Sequence, residues 1–419
     1  MSDKVLFVGQ GYVGLPVAMR AVECGFRVVG LDSDERRVEM LERGVSPVED
    51  VSDDRLRSAL ASGRYEPTVD PRRGEDFDFA VISVPTPLRD GVPDLSHITD
   101  ASRTVGSMLR AGSCVILEST TWPGTTEEVV GPILEDCSGL VVGDDFHLGY
   151  SPERIDPGNR EWPFERIPKV VSGVDEASLK AVCDFYSRLV ERIVPVSGCK
   201  EAELTKLLEN TFRHVNVALM NELAMFAHDL GIDIWEAIDA AATKPFGFMR
   251  FEPGPGVGGH CLPVDPSYLS WRVRTSLGET FRFVELANDV NEHMPSYVVG
   301  RIVRSLNERS LPVKGRRVLL LGIAYKKNTG DARESPARGV ARHLLELGAE
   351  VVAADPHVDP VEFPDGVAPV DATPEEVSKA DVVVLLVDHD AFALDQIVAS
   401  AKFVFDTRHR VSGGNVEHL

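Results

Sequence analysis

The sequence predicts an α/β fold in which two Rossmann-like, doubly wound domains are joined by a helical central domain with a long helix. Three features lead to this prediction. Strand and helix patterns alternate at the start of the chain, as a parallel doubly wound sheet requires. Segment 201–229 is apolar at helical spacing and contains neither glycine nor proline, which favours one long helix. A second alternating pattern begins near residue 317.

The first domain is predicted over residues 1–198. It opens with a short apolar strand, a glycine turn and a helix that ends at Gly25, and the next strand closes at Asp32. The predicted strands and helix of this domain are, in chain order, strand 5–8, helix 15–24, and strands 27–31, 78–84 and 113–117.

The middle of the chain, 199–310, is predicted to be helical apart from a glycine- and proline-rich segment over 244–266. The last part, 311–419, is predicted as a second Rossmann-like domain, because three of its segments echo strands of the first domain. Those segments are 317–322, 348–355 and 381–387. This second domain lacks the glycine triplet, so only the first is predicted to bind a dinucleotide.

Composition limits the possible partners. The chain has 419 residues, and 66 acidic residues against 44 basic ones give a formal net charge of −22. Such a charge argues against nucleic acid and anionic membranes as partners. No apolar run approaches the roughly 18–20 residues that cross a bilayer, and no signal peptide is recognised. The six cysteines lack metal-ligand spacing, so we expect reduced thiols, no metal and a cytoplasmic location.

A glycine triplet at Gly9, Gly11 and Gly14 follows the first strand and opens the first helix. Asp32 stands 18 residues after Gly14 at the end of the second strand. This arrangement favours a dinucleotide whose pyrophosphate binds at the helix N-terminus. An acid at Asp32 would bond the adenosine ribose and repel a 2′-phosphate, which favours NAD over NADP. The residues predicted to bind NAD are Gly9, Gly11, Tyr12, Val13, Gly14, Asp32, Arg37, Pro85, Thr86, Ser119 and Thr120.

Two further groups of residues could carry chemistry. Cys261 follows a glycine-rich loop and precedes Asp265 by four residues, which makes a nucleophile and a base plausible. Taken alone, Cys261 is more often a buried structural thiol than a nucleophile, and His260 is more often a loop or packing residue than a metal ligand. Lys206 and Asn210 share one face of the long helix and could stabilise an oxyanion, or could simply face solvent.

Six motifs in order resemble one known family. They are GQGYVGLP (9–16), ESTTWPGTT (118–126), YSPERIDPGN (150–159), KLLEN (206–210), GPGVGGHCLPVDP (254–266) and LGIAYKKNTGDARESP (321–336). The chain resembles the UDP-glucose/GDP-mannose dehydrogenases, which are NAD-dependent nucleotide-sugar 6-dehydrogenases, over nearly its whole length.

The resemblance implies a four-electron oxidation of the C6 hydroxymethyl of a nucleoside-diphosphate hexose to the uronic acid. It implies that Cys261 forms a thiohemiacetal and then a thioester. It also implies a homodimer or higher homo-oligomer formed through the long helix. The implied catalytic residues are Cys261, Lys206, Asn210, Asp265, Thr120 and Glu153. The implied substrate-binding residues are Glu153, Arg154, Lys206, Asn210, Gly254, Gly256, Gly258, Gly259, Lys326 and Arg333.

Two positions bear on the sugar. Pro157 stands where some UDP-glucose dehydrogenases carry a second glutamate, and Val264 stands where they carry a lysine. Both resemble the branch of the family that oxidises UDP-N-acetylhexosamines, although UDP- or TDP-glucose, in glycan or antibiotic pathways, stays open. Two other functions are also considered: a two-electron NAD-dependent hydroxyacid dehydrogenase, and a non-catalytic protein that binds NAD or a sugar nucleotide.

Overall fold

The computed structural model describes residues 3–89, 91–156, 161–259 and 262–419. The chain divides into two compact units, Met1–Glu209 and Asn210–Leu419. Each unit contains one large, mainly parallel β-sheet of the doubly wound type, and the predicted fold class is confirmed.

The first unit alternates strands with helices. Its strands are β1 (Lys4–Val8), β2 (Arg27–Leu31), β3 (Tyr65–Thr68), β4 (Phe79–Ile82), β5 (Leu88–Arg89), β6 (Val92–Pro93), β7 (Cys114–Leu117), β8 (His147–Tyr150), β9 (Lys169–Gly173) and β10 (Ile193–Pro195). Its helices are α1 (Gly14–Glu23), α2 (Glu35–Glu42), α3 (Asp53–Ala61), α4 (Ser96–Gly106), α5 (Gly131–Ser138) and α6 (Glu176–Tyr186). Helix α7 (Cys199–Asp229) begins in this unit and ends in the second.

The main sheet of the first unit has the strand order β10-β9-β8-β7-β4-β1-β2-β3. Neighbouring strands are parallel except β8 and β9. The run β3-β2-β1-β4-β7-β8 has the order of dinucleotide-binding sheets, in which ligands bind where the order reverses, outside the carboxyl ends of the strands. That point lies between β1 and β4, so Gly9 and Ser83 begin the loops that matter for binding.

Both faces of this sheet are buried. On β1, Val5 and Phe7 pack into one apolar cluster with Phe26 and other side chains, whereas Leu6 and Val8 pack into the cluster on the opposite face. Successive side chains of a strand point to opposite faces, and helices cover both faces of a parallel sheet. The continuous apolar runs of the strands follow from this double burial.

The second unit places a helical part before its own sheet. Its helices are α8 (Ile234–Ala242), α9 (Asp265–Leu277), α10 (Arg282–Glu308), α11 (Pro336–Glu346), α12 (Pro374–Lys379) and α13 (Leu394–Ser400). Its strands are β11 (Arg317–Leu321), β12 (Glu350–Ala354), β13 (Ala368–Pro369), β14 (Val382–Leu385), β15 (Val404–Asp406) and β16 (Val416–His418). The sheet order is β13-β12-β11-β14-β15-β16, with every pair parallel.

The two sheets share a strand order but differ after their first strand. In the first unit, β1 ends at Val8 and α1 begins at Gly14. In the second, β11 ends at Leu321 and α11 begins only at Pro336, so the long loop 322–335 stands where the first unit has its glycine turn. The second sheet therefore presents a loop, and not a helix N-terminus, at the end of its first strand.

The described part of the chain contains no helix that could serve as a transmembrane segment. Within the same ranges, no group of three or more histidine, cysteine, aspartate or glutamate side chains has the arrangement of a metal site. The five cysteines outside the gaps form no disulfide bond.

Candidate active site

The glycine turn after β1 has the geometry of a pyrophosphate cradle. Gly9 adopts φ +97°, a left-handed conformation, and a Cβ added there would lie 2.6 Å from the Ser83 carbonyl oxygen. A Cβ on Gly14 would lie 2.0 Å from the Gly9 carbonyl oxygen, so this glycine lets α1 approach the turn. A Cβ on Gly11 would meet no atom within 4 Å, which leaves open space beside the backbone for a ligand. These are the roles of the three glycines in a dinucleotide site.

The N-terminus of α1 is suited to an anion. No side chain caps it, and its first turn contains no acidic residue. Unpaired amides at a helix N-terminus bind phosphate through hydrogen bonds and the helix dipole. Tyr12 and Val13, which precede the helix, are half-buried. The residues present therefore fit the pyrophosphate of NAD.

Asp32 lies at the end of β2 and is almost fully buried. Its Oδ2 accepts hydrogen bonds from the Gln10 amide at 2.8 Å and from Arg37 Nη1 at 3.0 Å, and its Oδ1 accepts one from the Asp34 amide at 3.0 Å. The carboxylate is thereby fixed beside the glycine turn, as a ribose-binding acid must be. Arg37 is tied to the same carboxylate.

The ends of β4 and β7 place four more predicted residues at the same edge of the sheet. Pro85 is exposed, Thr86 and Thr120 are half-buried, and Ser119 is buried. Ser119 Oγ donates to the Val84 carbonyl at 2.8 Å and so ties the two loops together. The structure thus brings the predicted NAD residues to the carboxyl edge of one parallel sheet.

Glu153 follows β8, and its two carboxylate oxygens and its carbonyl oxygen all accept hydrogen bonds. Its Oε1 accepts from the Arg154 and Ile155 amides at 2.6 and 2.5 Å, and its Oε2 accepts from Lys169 Nζ at 3.1 Å. Its carbonyl oxygen accepts from Lys206 Nζ at 2.6 Å. Glu153 and Lys206, both predicted catalytic residues, are therefore in direct contact.

Arg154 turns away from that contact. Its guanidinium pairs with Glu209 at 2.7 Å and donates to the Pro168 carbonyl at 2.6 Å. The positive charge of Arg154 is therefore paired with the carboxylate of Glu209 on α7.

A buried charged cluster that sequence reasoning missed lies behind Glu153. Lys169 Nζ lies 2.8 Å from Glu118 Oε1, and Tyr186 donates its hydroxyl to the same oxygen at 2.6 Å. Burial raises the pKa of Glu118. Burial opposes the charge of Lys169, but the carboxylates of Glu118 and Glu153 outweigh it and raise the pKa of that lysine. Glu118 opens one predicted motif, but no local pattern links it to Lys169.

Glu203 is a second residue that sequence reasoning missed. It lies on α7 one turn before Lys206 and is fully buried. Its Oε2 accepts the Gly124 amide at 2.5 Å, and its Oε1 accepts the Thr126 amide at 2.9 Å and the Thr126 hydroxyl at 2.7 Å. Burial raises its pKa to about 7. Glu203 therefore anchors the loop that carries Ser119 and Thr120 to α7.

In the second unit, Asn210 and Asp265 form a buried pair. Asn210 Nδ2 donates to Asp265 Oδ2 at 2.6 Å, and both side chains are about 5% exposed or less. Asp265 is the first residue of α9. His260 and Cys261 lie outside the described residues, so the predicted nucleophile has no position here.

The glycine-rich loop and the loop 322–335, both predicted to bind substrate, are in contact within the second unit. The Gly259 amide donates to the Arg333 carbonyl at 3.1 Å. A Cβ on Gly258 would lie 2.7 Å from the Glu334 carbonyl oxygen, and one on Gly259 would lie 2.7 Å from the ring of Tyr325. The glycines therefore let the two loops pack backbone against backbone.

The remaining predicted residues of this region differ in their surroundings. The guanidinium of Arg333 is exposed and pairs with Asp331 at 2.5 Å. Lys326 is half-buried. The Gly254 amide donates to Asn221 Oδ1 at 2.9 Å, and a Cβ on Gly254 would lie 3.0 Å from Arg408 Nη1. Asn221 and Arg408 were not predicted as site residues, since neither stands in a motif.

Comparison with known proteins shows the family to which the chain belongs. Three sequence models of the UDP-glucose/GDP-mannose dehydrogenase family match in order. The NAD binding domain matches residues 3–190, the central domain 200–293 and the UDP binding domain 319–412.

Individual relatives match over nearly the whole of both chains. Protein CapL of Staphylococcus aureus is 36% identical over 417 residues, which are 97% of this chain and 96% of CapL. The UDP-N-acetyl-D-glucosamine 6-dehydrogenase of Pseudomonas aeruginosa is 37% identical, with 94% of this chain and 92% of that protein covered. Among solved structures, a UDP-D-ManNAc dehydrogenase from Pyrococcus horikoshii gives a TM-score of 0.90 at 32% identity, with 99% and 98% of the two chains covered.

The fold, the cofactor cradle and these matches define an NAD-dependent oxidoreductase of nucleotide sugars. The chain belongs to the UDP-glucose/GDP-mannose dehydrogenase family. The predicted family and the predicted cofactor, NAD, are confirmed.

Proposed function

We propose that this enzyme oxidises the C6 hydroxymethyl group of a UDP-N-acetylhexosamine to a carboxylate. The observation that carries the proposal is the pairing of buried polar residues at the predicted catalytic positions: Lys206 with Glu153, and Asn210 with Asp265. The choice of sugar is supported by Pro157 and Val264, and by relatives that are named as UDP-N-acetylhexosamine dehydrogenases.

The reaction removes four electrons in two hydride steps. The overall balance is R–CH₂OH + 2 NAD⁺ + H₂O → R–COO⁻ + 2 NADH + 3 H⁺. NAD, when bound, accepts the hydride in each step. Between the steps, the Cys261 thiolate adds to the aldehyde carbon and forms a thiohemiacetal. The second oxidation gives a thioester, which water hydrolyses to release the acid and the thiol.

Lys206 and Asn210 stabilise the negative charge that develops on the C6 oxygen. They stand one turn apart on α7 and are at most 9% exposed, so their donors act in a water-poor environment. Electrostatic stabilisation by fixed donors is strongest where water is excluded. Lys206 Nζ is held by the Glu153 carbonyl, which fixes its direction.

Asp265 assists proton transfer at the same oxygen. Its bond from Asn210 leaves it a fixed carboxylate at the start of a helix, where the helix dipole favours a negative charge. Thr120 and Glu153 position the hydrolytic water. Because both oxygens of Glu153 accept protein donors, its role is to fix the loop and the Lys206 contact as well as the water.

The nucleotide end of the substrate binds to the glycine-rich loop at 254–259 with Lys326 and Arg333. Contact between this loop and 322–335 supports a shared binding surface. Backbone amides and a few cations would bind a diphosphate on a protein whose net charge is −22. We also propose the domain limits 1–198, 199–310 and 311–419, and a cytoplasmic location.

We propose that the enzyme is a homodimer or higher homo-oligomer formed through α7. In the second unit, that helix and the residue that follows it expose large apolar side chains at one-face spacing, 41–73% accessible. They are Phe212, Leu219, Leu223, Phe226 and Leu230. Phe283 and Leu286 on α10 are also more than half exposed. An apolar patch of this kind marks a protein interface.

The substrate is tested by initial rates with NAD and a panel of sugar nucleotides. The panel contains UDP-N-acetylglucosamine, UDP-N-acetylmannosamine, UDP-glucose, TDP-glucose and GDP-mannose. The proposal expects one UDP-N-acetylhexosamine to give a kcat/KM at least about tenfold above the hexoses without an acetamido group, about 1.4 kcal/mol. A preference for UDP- or TDP-glucose would reject the proposed sugar, and turnover of hydroxyacids alone would reject the proposed reaction.

A further inference from the structure

A chain of buried amides runs from the glycine-rich loop of the second unit to a histidine. The Gly254 amide donates to Asn221 Oδ1 at 2.9 Å, and Asn221 Nδ2 donates to Asn291 Oδ1 at 2.8 Å. Asn291 Nδ2 contacts His214 Nδ1 at 3.4 Å, and His214 Nε2 contacts Asn288 Oδ1 at 2.8 Å. The chain joins α7, α10 and the loop, and Asn221, Asn291 and His214 are at most 3% exposed.

The direction of every bond in this chain is determined. A backbone amide only donates, so Asn221 must present its oxygen to Gly254 and its NH₂ to Asn291. Asn291 then presents its oxygen to Asn221 and its NH₂ to His214. An amide NH₂ only donates, so His214 Nδ1 must accept and carries no proton. The second ring nitrogen, Nε2, carries the proton and donates to Asn288. The geometry therefore requires the neutral Nε2–H form of His214.

We propose that Asn221, Asn291 and neutral His214 are positioning residues that set the glycine-rich loop for sugar-nucleotide binding. The inference rests on the proposed role of that loop. Asn291 also limits the loop at a second point, because a Cβ on Gly256 would lie 3.1 Å from the Asn291 carbonyl oxygen. A preordered loop binds its ligand more tightly, because the ordering cost is met before binding.

Protonation of His214 would break the chain. A proton on Nδ1 would face the Asn291 NH₂, so two donors would meet. If Asn291 turned its oxygen toward His214, its NH₂ would face the Asn221 NH₂. If Asn221 turned as well, its NH₂ would face the Gly254 N–H, which can only donate. Burial lowers the pKa of His214 below 6.5, while the bond to Asn288 opposes the shift. This chain of hydrogen bonds is therefore intact at neutral pH and fails only as the pH falls through the lowered pKa of His214.

The charged groups near this chain of hydrogen bonds are either bonded to other residues or at least partly exposed. Asp265 accepts a hydrogen bond from Asn210, which lies one turn before His214 on α7. Arg213 on α7 and Asp289 and Glu292 on α10 are exposed, and Glu222 is half-buried. Among the described residues, none of these appears as a cause of the shift in the His214 pKa.

Asn221→Asp tests the chain with almost no change in shape. A carboxylate at 221 still accepts from Gly254 but cannot donate to Asn291. Asn291 must then turn its NH₂ toward position 221 and its oxygen toward His214, which favours a proton on Nδ1. The same substitution at Asn216, a half-exposed residue of α7 that bonds to its own helix at the Phe212 carbonyl, is the matched control.

Two readouts of the full-length enzyme decide the outcome. In ¹⁵N-histidine NMR, with His214 assigned by its loss in His214→Gln, we expect the neutral Nε2–H form in wild type and a proton on Nδ1 in Asn221→Asp. In kinetics, we expect the KM for the sugar nucleotide to rise about tenfold in Asn221→Leu, which removes the acceptor of the Gly254 amide, with a smaller change in kcat and none in the KM for NAD. An unchanged His214 form in Asn221→Asp, or an unchanged KM in Asn221→Leu, would overturn the proposal.

His214→Gln separates positioning from general stability. A glutamine can accept from Asn291 and donate to Asn288, but it cannot be protonated. We expect its KM at pH 7.5 to stay within about twofold of wild type and the rise in KM at acid pH to disappear. Persistence of that rise would overturn the role of His214. If wild type turned over no sugar nucleotide, the proposed function would fail, whereas the NMR readout would still decide on the chain.

Discussion

At the scale of single residues, we propose that Asp32 and Arg37 together determine the choice of NAD over NADP. Arg37 is the one cation bonded to Asp32 among the described residues, at 3.0 Å. An arginine at this place could receive a 2′-phosphate, but here Asp32 holds it and adds a negative charge beside it. Under this proposal, a site with an arginine nearby can still prefer NAD.

Asp32→Ala is expected to weaken that preference. Removal of the carboxylate releases Arg37 and ends the repulsion of a 2′-phosphate. The ratio of kcat/KM for NAD over NADP should fall at least about tenfold, or about 1.4 kcal/mol. The double variant Asp32→Ala with Arg37→Ala is the control, and it should lose the gain with NADP. An unaltered ratio in the single variant would contradict the ribose role of Asp32.

The sequence was sufficient for residues whose role is local. Gly9, Gly11, Gly14 and Asp32 stand in a short pattern, and the structure gives each glycine a distinct steric task. The contacts of Lys169 could not be predicted from the sequence. Its partners Glu118 and Glu153 are brought to it only by the order of the strands, and no spacing along the chain signals the contact.

At the scale of elements, α7 does more than carry Lys206 and Asn210. Glu203, on its first part, holds the loop after β7 by three hydrogen bonds. The helix therefore holds Lys206, the proposed catalytic lysine, and is bonded to the loop that carries Thr120. The long helix was predicted over 201–229, close to the observed Cys199–Asp229, because its apolar spacing is uninterrupted.

Glu203→Gln is expected to change how stability depends on pH. The pKa of Glu203 is raised from 4.5 to about 7 in the folded protein, mainly by burial. Its contribution to stability is therefore full below about pH 4.5 and is lost as the pH rises through about 7.

Wild type and Glu203→Gln should differ in how their unfolding free energy, measured with urea, changes between about pH 4.5 and 7. Wild type should lose up to about 1.4 kcal/mol of unfolding free energy per pH unit relative to Glu203→Gln. Glu127→Gln, at an exposed neighbour, is the control and should follow wild type. Parallel profiles for wild type and Glu203→Gln would refute the buried anchor.

Loop positions were harder to predict than helices and strands. Segment 322–335 was recognised as a motif, but its packing on Gly258 and Gly259 depends on backbone atoms that any sequence would supply. The chain from Gly254 to His214 links residues up to 77 positions apart. The asparagines in that chain of hydrogen bonds lie on helices, and nothing in the sequence pattern distinguishes them from Asn216.

At the scale of the whole molecule, the apolar face of α7 leads to a test of assembly. Sedimentation velocity should give a mass at least twice the 45.8 kDa of one chain. Leu223→Asp would place a charge in the proposed interface and should shift the protein toward monomer, because burying an unpaired charge is costly.

Leu347→Asp is the matched control, since Leu347 is 43% exposed against 41% for Leu223 but lies at the end of α11. It should leave the mass unchanged. A monomeric wild type, or a Leu223→Asp variant with the wild-type mass, would contradict assembly through α7.

The central claim is that one active site removes four electrons from each sugar by way of Cys261. The most direct measurement is the total NADH formed from a limiting amount of the preferred sugar nucleotide, with excess NAD. We expect two NADH per sugar for wild type. For Cys261→Ser we expect no sustained NADH production, because a serine adduct does not lead to a readily hydrolysed thioester. One NADH per sugar, or unchanged steady-state turnover by Cys261→Ser, would contradict it.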